Sequence, residues 1–428
     1  VLVINPTPFG GRRLAFVPEA SGVSFTLETS GQPLVSQAVD GGVLVDVPHV
    51  DAYGAITLSQ AAEAAASPED AVTAWQQGDL IVLENAVLRV EIDSNGDVVR
   101  VFDREAEREV LAPGQRGNIL QAFEDRPLNF DAWDIDIFFE DKQWEAEPAY
   151  HIAVIETGPL RAAVEVRRRL DQSDIHQRIY LYRNSRRIDF DTWVDWRERH
   201  VLLKAAFPVD ILSPTATYDI QWGNIERPTH RNTSWDWARF EVCAHKWADL
   251  SEGDYGVSLL NDCKYGYDVH DNVLRLTLLK SATEPDPNAD LGEHRFTYSL
   301  LPHRGDWRNG TVAEGYDLNN PLAGIRVTGS GNGAQPLDLS ALVSVDRPNA
   351  IIETVKLAED GNGVIVRLYE NERTRGPVRL STSFTLAEVW ECNLLEENEQ
   401  ALAIEDGGTA LILNLTPYAI RTLRLVPR

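Results

Sequence analysis

The chain has 428 residues, 43% of them hydrophobic and 25% charged, an ordinary composition for a protein with large buried cores. Lys and Arg number 40 against 66 Asp and Glu, a formal charge of -26; such a surface repels nucleic-acid phosphates and anionic membranes and leaves neutral polar ligands such as sugars open. At about 150 residues per domain the length suits two or three domains, and no apolar run approaches the roughly 18 residues that cross a bilayer.

The three cysteines, Cys243, Cys263 and Cys392, show no Cys-x-x-Cys spacing. Neither a disulfide framework nor a zinc ribbon is therefore expected, and a reducing, cytoplasmic compartment fits. The chain opens on Val1-Leu2-Val3-Ile4 without an initiator Met or a basic leader, which reads as a piece of something longer. The Asn-x-Ser/Thr triplets at Asn232, Asn309 and Asn414 then read as chance matches. Met is absent throughout, and nothing physical explains it.

From the N terminus onward the dominant rhythm is period two, the pattern of half-buried strands. Ala61 to Gln77 interrupts it: the segment is Ala-rich, and Ser67-Pro68-Glu69-Asp70 offers an N-cap, a first-turn Pro and acidic first-turn groups. Either a short helix or a linker fits there. Leu88, Val90 and Ile92 then alternate with Arg89 and Glu91, and Ser94-Asn95-Gly96-Asp97 leads into Val99 and Val101. Asn-Gly predicts a hairpin with a type I′ turn. Val164 and Val166, Ile179 to Tyr182, a turn at Asn184-Ser185, and Ile188, Phe190 and Thr192 continue the series. Leu411, Leu413 and Leu415 alternate near the end, Pro417 interrupts, and Ile420 to Val426 makes a closing strand.

Strands nowhere alternate with helices of 10–15 residues, so the expected fold is all-β: antiparallel β-sandwich domains, a large central sandwich flanked by smaller β domains, with few short helices. The expected segments are a first β domain with the Ala-rich linker over 1–78, the central sandwich over 79–328 and a C-terminal sandwich over 329–428. Gly329-Ser330-Gly331-Asn332-Gly333 marks the second boundary. That loop lacks the strand and helix context of a phosphate-binding turn.

Two clusters carry the vocabulary of sugar recognition, in which carboxylates accept hydroxyl hydrogen bonds and aromatic faces pack on a pyranose. The first is Asn129-Phe130-Asp131-Ala132-Trp133-Asp134-Ile135-Asp136. Its plainer reading is a loop whose Asp residues cap turns while Trp133 fills the core. The second is Trp235-Asp236-Trp237 followed by Phe240 to Asp249, with His245, Trp247 and Asp249 as candidates. Here the plainer reading is an aromatic seam between sheets. Cys263 beside Lys264 would be a nucleophile only if its pKa were lowered, whereas a buried free Cys is inert. His49-Val50-Asp51 and His303 have metal-ligand chemistry, but zinc usually takes three or four protein ligands and no second histidine cluster accompanies either. With 66 acidic residues, some carboxylate pair suited to glycoside hydrolysis can always be chosen, so none is assigned.

Longer motifs carry a family resemblance. Gly117 to Pro127 leading into Asp131-Ala132-Trp133-Asp134-Ile135-Asp136, Arg227-Pro228-Thr229-His230, His245 to Glu252, and Asn261 to Tyr267 all take part. Pro285 to Asp290, Phe296-Thr297-Tyr298 and Pro302-His303 complete the series in order. The chain resembles the C-terminal β portion of glycoside hydrolase family 38 α-mannosidases of the cytosolic and vacuolar type. Val1 to Pro6 resembles that family's first β segment after its helical bundle.

The resemblance implies a retaining exo-α-mannosidase whose zinc ligands and aspartate nucleophile lie on a preceding barrel. No catalytic or metal-binding residue is therefore expected in this chain, and it should not hydrolyse mannosides alone. Its implied partners are mannose-containing oligosaccharides, its own N-terminal catalytic domain and further copies of itself; nucleic acid and membranes are not among them. Asp131, Trp133 and Asp134, then His245, Trp247 and Asp249, are the expected substrate-rim residues. The rival readings are a stand-alone carbohydrate-binding or scaffold module, and an enzyme acting through its own Asp/Glu pairs.

Overall fold

Strands dominate the computed structural model, which describes residues 1–20, 22–61, 63–326 and 339–428. The Gly-rich stretch 329–333 lies outside the described residues. Helix among them is confined to Ser234–Trp237, Thr311–Asn319 and two short 3-10 turns. The all-β expectation therefore holds, with strands paired almost throughout in antiparallel fashion.

The chain divides into two units rather than three consecutive segments. One unit spans Ser67–Ile220 and Ile225–Asn319; the other joins Val1–Ala66, Gln221–Asn224 and Asn320–Arg428. The physical reason is the strand Leu322–Ile325. It enters the N-terminal sheet between Leu2–Ile4 and Gly11–Pro18, pairing antiparallel with the first and parallel with the second. Leu322 joins Val3, Val17, Phe25, Val45 and Leu58 in that sheet's core. Three- and five-stranded sheets from residues 343–427 enclose a second core around Val366, Leu368, Leu380, Leu411 and Leu423.

In the unit formed by Ser67–Ile220 and Ile225–Asn319, sheets of five, six and nine strands enclose one apolar core. Alternation builds it: Val164 and Val166, Ile175 and Ile179, and Phe190 and Val194 all point inward from neighbouring strands of the nine-stranded sheet. The six-stranded sheet answers with Leu203, Ala205 and Phe207. Phe190 stacks on Tyr298 at 5.1 Å and lies 5.5 Å from Phe207 of the facing sheet, so it touches both layers.

Two local expectations change. The hairpin Leu88–Ile92 to Val98–Asp103 forms, but its turn is not type I′. That type needs positive φ at both central residues, and of Asn95 and Gly96 only Gly96 has it, at 82°. Instead Asp93 Oδ1 accepts from the N–H groups of Asn95 and Asp97, and the register shifts at Ile92. A Cβ on Gly96 would meet Val166 at 2.5 Å, and the Gly96 carbonyl accepts from buried Arg168 at 2.6 Å. The glycine thus serves both the turn and its docking on the sheet.

No helix forms over residues 63–77. Asp70 accepts from Arg183 Nε at 2.9 Å and from Asn184 at 2.8 Å, while Thr73–Gln77 pairs with Leu80–Glu84. Long-range pairing outweighs the N-cap signal there.

Because Phe190 bridges both layers, Phe190→Ala is expected to cost about 3–5 kcal/mol. Urea denaturation should show a lower midpoint at unchanged slope; a loss under about 1 kcal/mol would mean the core closes around the gap.

Candidate functional site

The strand Val201–Pro208 of the six-stranded sheet is buried on both faces. Val201–Pro208 sends Leu203, Ala205 and Phe207 into the sandwich core, and Leu202 and Lys204 to the opposite side. There Phe123, Phe139 and Leu202 form a small second core, with Phe123 and Phe139 edge to face at 5.0 Å. Phe139 comes from the 3-10 turn Ile137–Asp141 and lies 6.0 Å from Phe240. A layer of loops therefore covers this face of the sheet.

Charged groups fasten that layer. Lys204 is 0% exposed, and its ammonium donates to Asp268 at 2.6 Å and to Glu241. Burial would push the ammonium down, but Asp268 and Glu241 outweigh it and hold its pKa above the usual value. Thr277 Oγ1 donates to Glu241 at 2.6 Å, and Arg275 donates to Asp268 at 2.7 Å. Arg275 also reaches Glu140 of the 3-10 turn at 2.5 Å, and Arg231 donates to the same carboxylate at 2.7 Å. Burial raises Glu140, yet the two guanidinium groups prevail and bring it down to about 2.

Above this base stands the loop 125–136. Asp125 is buried and paired with Lys280, and burial still pushes its carboxyl up. Asp131 Oδ2 accepts from the Thr283 N–H at 2.7 Å and the Glu284 N–H at 3.2 Å. Burial raises the Asp131 pKa, but those backbone donors bring it below the usual range. Asp136 accepts from the Leu128 N–H at 2.9 Å, and the Trp133 and Asp134 N–H groups both donate to the Phe130 carbonyl. Asp131 and Asp136 thus cap turns, as the plainer reading expected, but Trp133 does not fill the core. It is 72% exposed, Phe130 is 68% exposed, and Leu128 and Phe138 are also out in solvent.

The neighbouring loop repeats the pattern. Thr233 caps Ser234–Trp237 by accepting from the Asp236 N–H, leaving Trp235 77% exposed and Trp237 partly so. The Arg231–Glu140 pair and the Phe139–Phe240 contact join this loop to the first. Each of the two anchored loops thus presents exposed aromatic side chains, which can pack on apolar faces, and the first also carries exposed Asp134, which can accept hydroxyl hydrogen bonds.

The second set of expected rim residues is placed otherwise. Trp247 is 1% exposed and stacks on Trp307 at 5.3 Å. Asp249 is 2% exposed and accepts from Ser251, Ser258 and His303. Both face away from the sandwich core, but the helix Thr311–Asn319 covers them: Val312 and Leu318 pack with Trp247, and Thr311 Oγ1 lies 2.7 Å from Ser258 Oγ. Direct substrate contact by Trp247 or Asp249 is excluded by that cover. His245 is half-buried, its ring edge-on to exposed Tyr265 at 5.7 Å.

Cys263 is no activated nucleophile. Partial burial of the thiol and the adjoining Asp262 carboxylate push it up to about 11. His49 Nε2 and Asp51 Oδ1 bond to each other at 2.8 Å. Among the described residues no group of three or more His, Cys, Asp or Glu side chains is placed to hold a metal. Sequence reasoning passed over Leu128, Phe138 and Lys204. A lysine inside Val201-Leu202-Leu203-Lys204-Ala205-Ala206-Phe207 was the one available signal for the buried network.

Comparison with known proteins matches residues 83–288 to the glycosyl hydrolases family 38 C-terminal domain. Residues 349–423 match the glycosyl hydrolases family 38 C-terminal beta sandwich domain. The chain is 38% identical over 366 residues to mouse alpha-mannosidase 2C1, covering 84% of this chain and 35% of that protein. It is 39% identical over 360 residues to alpha-mannosidase G of Dictyostelium discoideum, covering 82% and 33%. The chain thus spans about a third of the length of these relatives. An alpha-mannosidase from Enterococcus faecalis V583 shares the fold, with a TM-score of 0.77 at 16% identity over 99% of this chain and 55% of that one.

Glu140 supplies a test of the anchoring. Its pKa in the folded protein lies below the ordinary carboxylate value, so its contribution is complete above about pH 4.5 and is lost as pH falls toward 2. Glu140→Gln should cost roughly 2 kcal/mol at pH 7 by urea denaturation, and the gap from the parent should narrow below about pH 4.5. A gap independent of pH would refute the assigned pairing.

Proposed function

Because the chain belongs to glycosyl hydrolase family 38 and carries its C-terminal domains, we propose that it is the β region of a zinc-dependent, retaining exo-α-mannosidase. In this reading the intact protein acts in the cytoplasm on mannose-containing oligosaccharides. The loop 125–136 stands at the rim of the substrate pocket, and the reacting groups belong to the rest of the protein.

The observation that supports the reading most is the exposed pair Phe130 and Trp133 on a loop held by Lys280 at Asp125 and by the Thr283 and Glu284 N–H groups at Asp131. Two neighbouring exposed aromatic rings leave apolar surface in water, so such a pair on an anchored loop suits a surface that is covered in use. Trp133 would pack on the C–H face of a mannose ring while Asp134 accepts its hydroxyl hydrogen bonds. Asp131, already committed to Thr283 and Glu284, acts by fixing the loop. The described residues do not make a zinc set, since His49 bonds to Asp51, whose other carboxylate oxygen accepts from the Ala341 N–H, and no third ligand joins them. No chemical step is assigned to a metal on this chain. In a retaining enzyme one carboxylate attacks the anomeric carbon and a second serves as acid, then base; neither is assigned here.

The test is hydrolysis of 4-nitrophenyl α-mannoside by the intact protein and by residues 1–428 alone. The intact protein should turn over and the isolated chain should not. Trp133→Ala in the intact protein should raise KM about tenfold with a smaller change in kcat. Turnover by the isolated chain would refute the reading, as would unchanged kinetics in Trp133→Ala.

A further inference from the structure

An imidazole stands where the loop 125–136 is attached. His200 directly precedes the strand Val201–Pro208, with φ of 54° in the left-handed region. Its N–H donates to the Ser281 carbonyl at 2.7 Å, and its carbonyl accepts from the Asp125 N–H at 2.8 Å. The backbone of His200 thereby joins the start of the loop to the segment 280–284. Its largely buried ring lies against the same two pieces of chain. Nε2 is 3.0 Å from Thr283 Oγ1, and Nδ1 is 3.5 Å from Asp131 Oδ1, an ion-pair distance without a hydrogen bond.

The arrangement is one proton short when the ring is neutral. Three contacts tie ring, hydroxyl and carboxylate together: Nδ1 to Asp131 Oδ1, Nε2 to Thr283 Oγ1, and Thr283 Oγ1 to Asp131 Oδ2 at 3.2 Å. Each needs a proton between its two heavy atoms. A neutral imidazole carries one and the threonine hydroxyl one, so either tautomer leaves one contact empty. A ring protonated on both nitrogens fills all three. Asp131 is ionised to receive it: burial raises its carboxyl, but the Thr283 and Glu284 N–H groups bring it below the usual range. The surrounding charges favour the same state. The carboxylates of Asp125 and Asp131 both act on the ring, and Asp125 Oδ1 is buried without a donor. On the segment 280–284 the charged groups are Lys280, committed to Asp125, and exposed Glu284. Next to His200 in the chain, Glu198 accepts from Ser173 and the Gln172 N–H, and Arg199 donates to Asn288.

We propose that protonated His200 is the clasp of the loop 125–136, so that one imidazole sets how firmly the substrate rim is presented. With the ring protonated, Asp131 is held from both sides, by His200 at Oδ1 and by Thr283 and Glu284 at Oδ2. As pH rises the ring gives its second proton to solvent, one contact opens, and the turn carrying Trp133 loosens. His200 touches no sugar; it acts through Asp131 and is a positioning residue. The proposal deepens the reading of this loop as a substrate rim and rests on it for its effect on mannoside binding, whereas the clasp itself is tested separately.

The experiment is amide hydrogen exchange over residues 128–136 of the intact protein at about pH 5.5 and about pH 8, which span imidazole titration. The parent is compared with His200→Asn, whose side chain tolerates a left-handed backbone, and with Thr283→Val. Neither substitution lies in the segment followed, so the chemical pH dependence of exchange cancels between proteins. The parent should exchange roughly threefold to tenfold more slowly than His200→Asn at the lower pH and at an equal rate at the higher. Thr283→Val leaves a single contact, which the one proton of a neutral ring can fill. Its protection should therefore stay level between the two pH values while that of the parent falls, and this variant decides the question should His200→Asn not fold. KM for 4-nitrophenyl α-mannoside, as the ratio of His200→Asn to parent, should follow the exchange ratio. An exchange ratio that is the same at both pH values would overturn the clasp, as would an undiminished pH dependence in Thr283→Val. A pH-dependent exchange ratio with KM unchanged at both values would uphold the clasp and refute the rim reading instead.

Discussion

An ammonium group taken out of water needs opposite charge at hydrogen-bond distance, and Lys204 meets that need only if Asp268 and Glu241 stay where they are. The desolvation of such a group costs several kcal/mol before any pairing is counted. This requirement propagates outward. Asp268 also holds Arg275, Arg275 holds Glu140, and Glu140 holds Arg231. Each member satisfies the next, and the far end of the series is a pair of surface loops carrying exposed aromatic rings. The loops owe their fixed shape to a charge at the base of the layer beneath them.

Two kinds of interaction are separated in space within this unit. One face of Val201–Pro208 contributes to a large apolar core of interlocked aliphatic and aromatic side chains, which supplies most of the driving force for folding. The other face contributes Leu202 to a small second core and one charge, Lys204, on which the ion-pair series is built. Ion pairs replaced by apolar residues often leave stability unchanged or improved. The polar face is therefore better understood as a device for specifying loop position. An apolar contact of equal area would tolerate sliding by an ångström or two, whereas a bidentate or shared carboxylate does not.

How much of this could be read in advance depended on whether a residue's environment was set locally. Strands were legible because alternation records the side of a sheet, as in Val164, Val166, Ile175 and Ile179. The Leu88–Asp103 hairpin was legible too, though not its turn, because Asn95 bonds to Asp93 rather than adopting positive φ. The Ser67–Asp70 cap signal was real but was overridden by Arg183, more than a hundred residues away. Trp247 and Asp249 carried the right chemistry for a rim. Nothing near them in sequence announces the helix Thr311–Asn319 that covers them. Asp131, Trp133 and Asp134 stood out by composition alone, yet Asp131 bonds to the distant Thr283–Glu284 segment while Trp133 faces water, a difference that nothing near them in sequence announces.

The strand Leu322–Ile325 has a consequence for the order of assembly. Its place between Leu2–Ile4 and Gly11–Pro18 means that the N-terminal sheet lacks an interior member until some three hundred further residues have left the ribosome. Until then the first strands present open edges, the condition under which nascent chains pair wrongly. The intervening unit, Ser67–Ile220 with Ile225–Asn319, carries its three sheets within residues 67–319, apart from the start of the edge strand Gly223–Pro228, and waits for no strand beyond them. Synthesis therefore favours a middle-first sequence of events, with the two flanks of the chain closing together last.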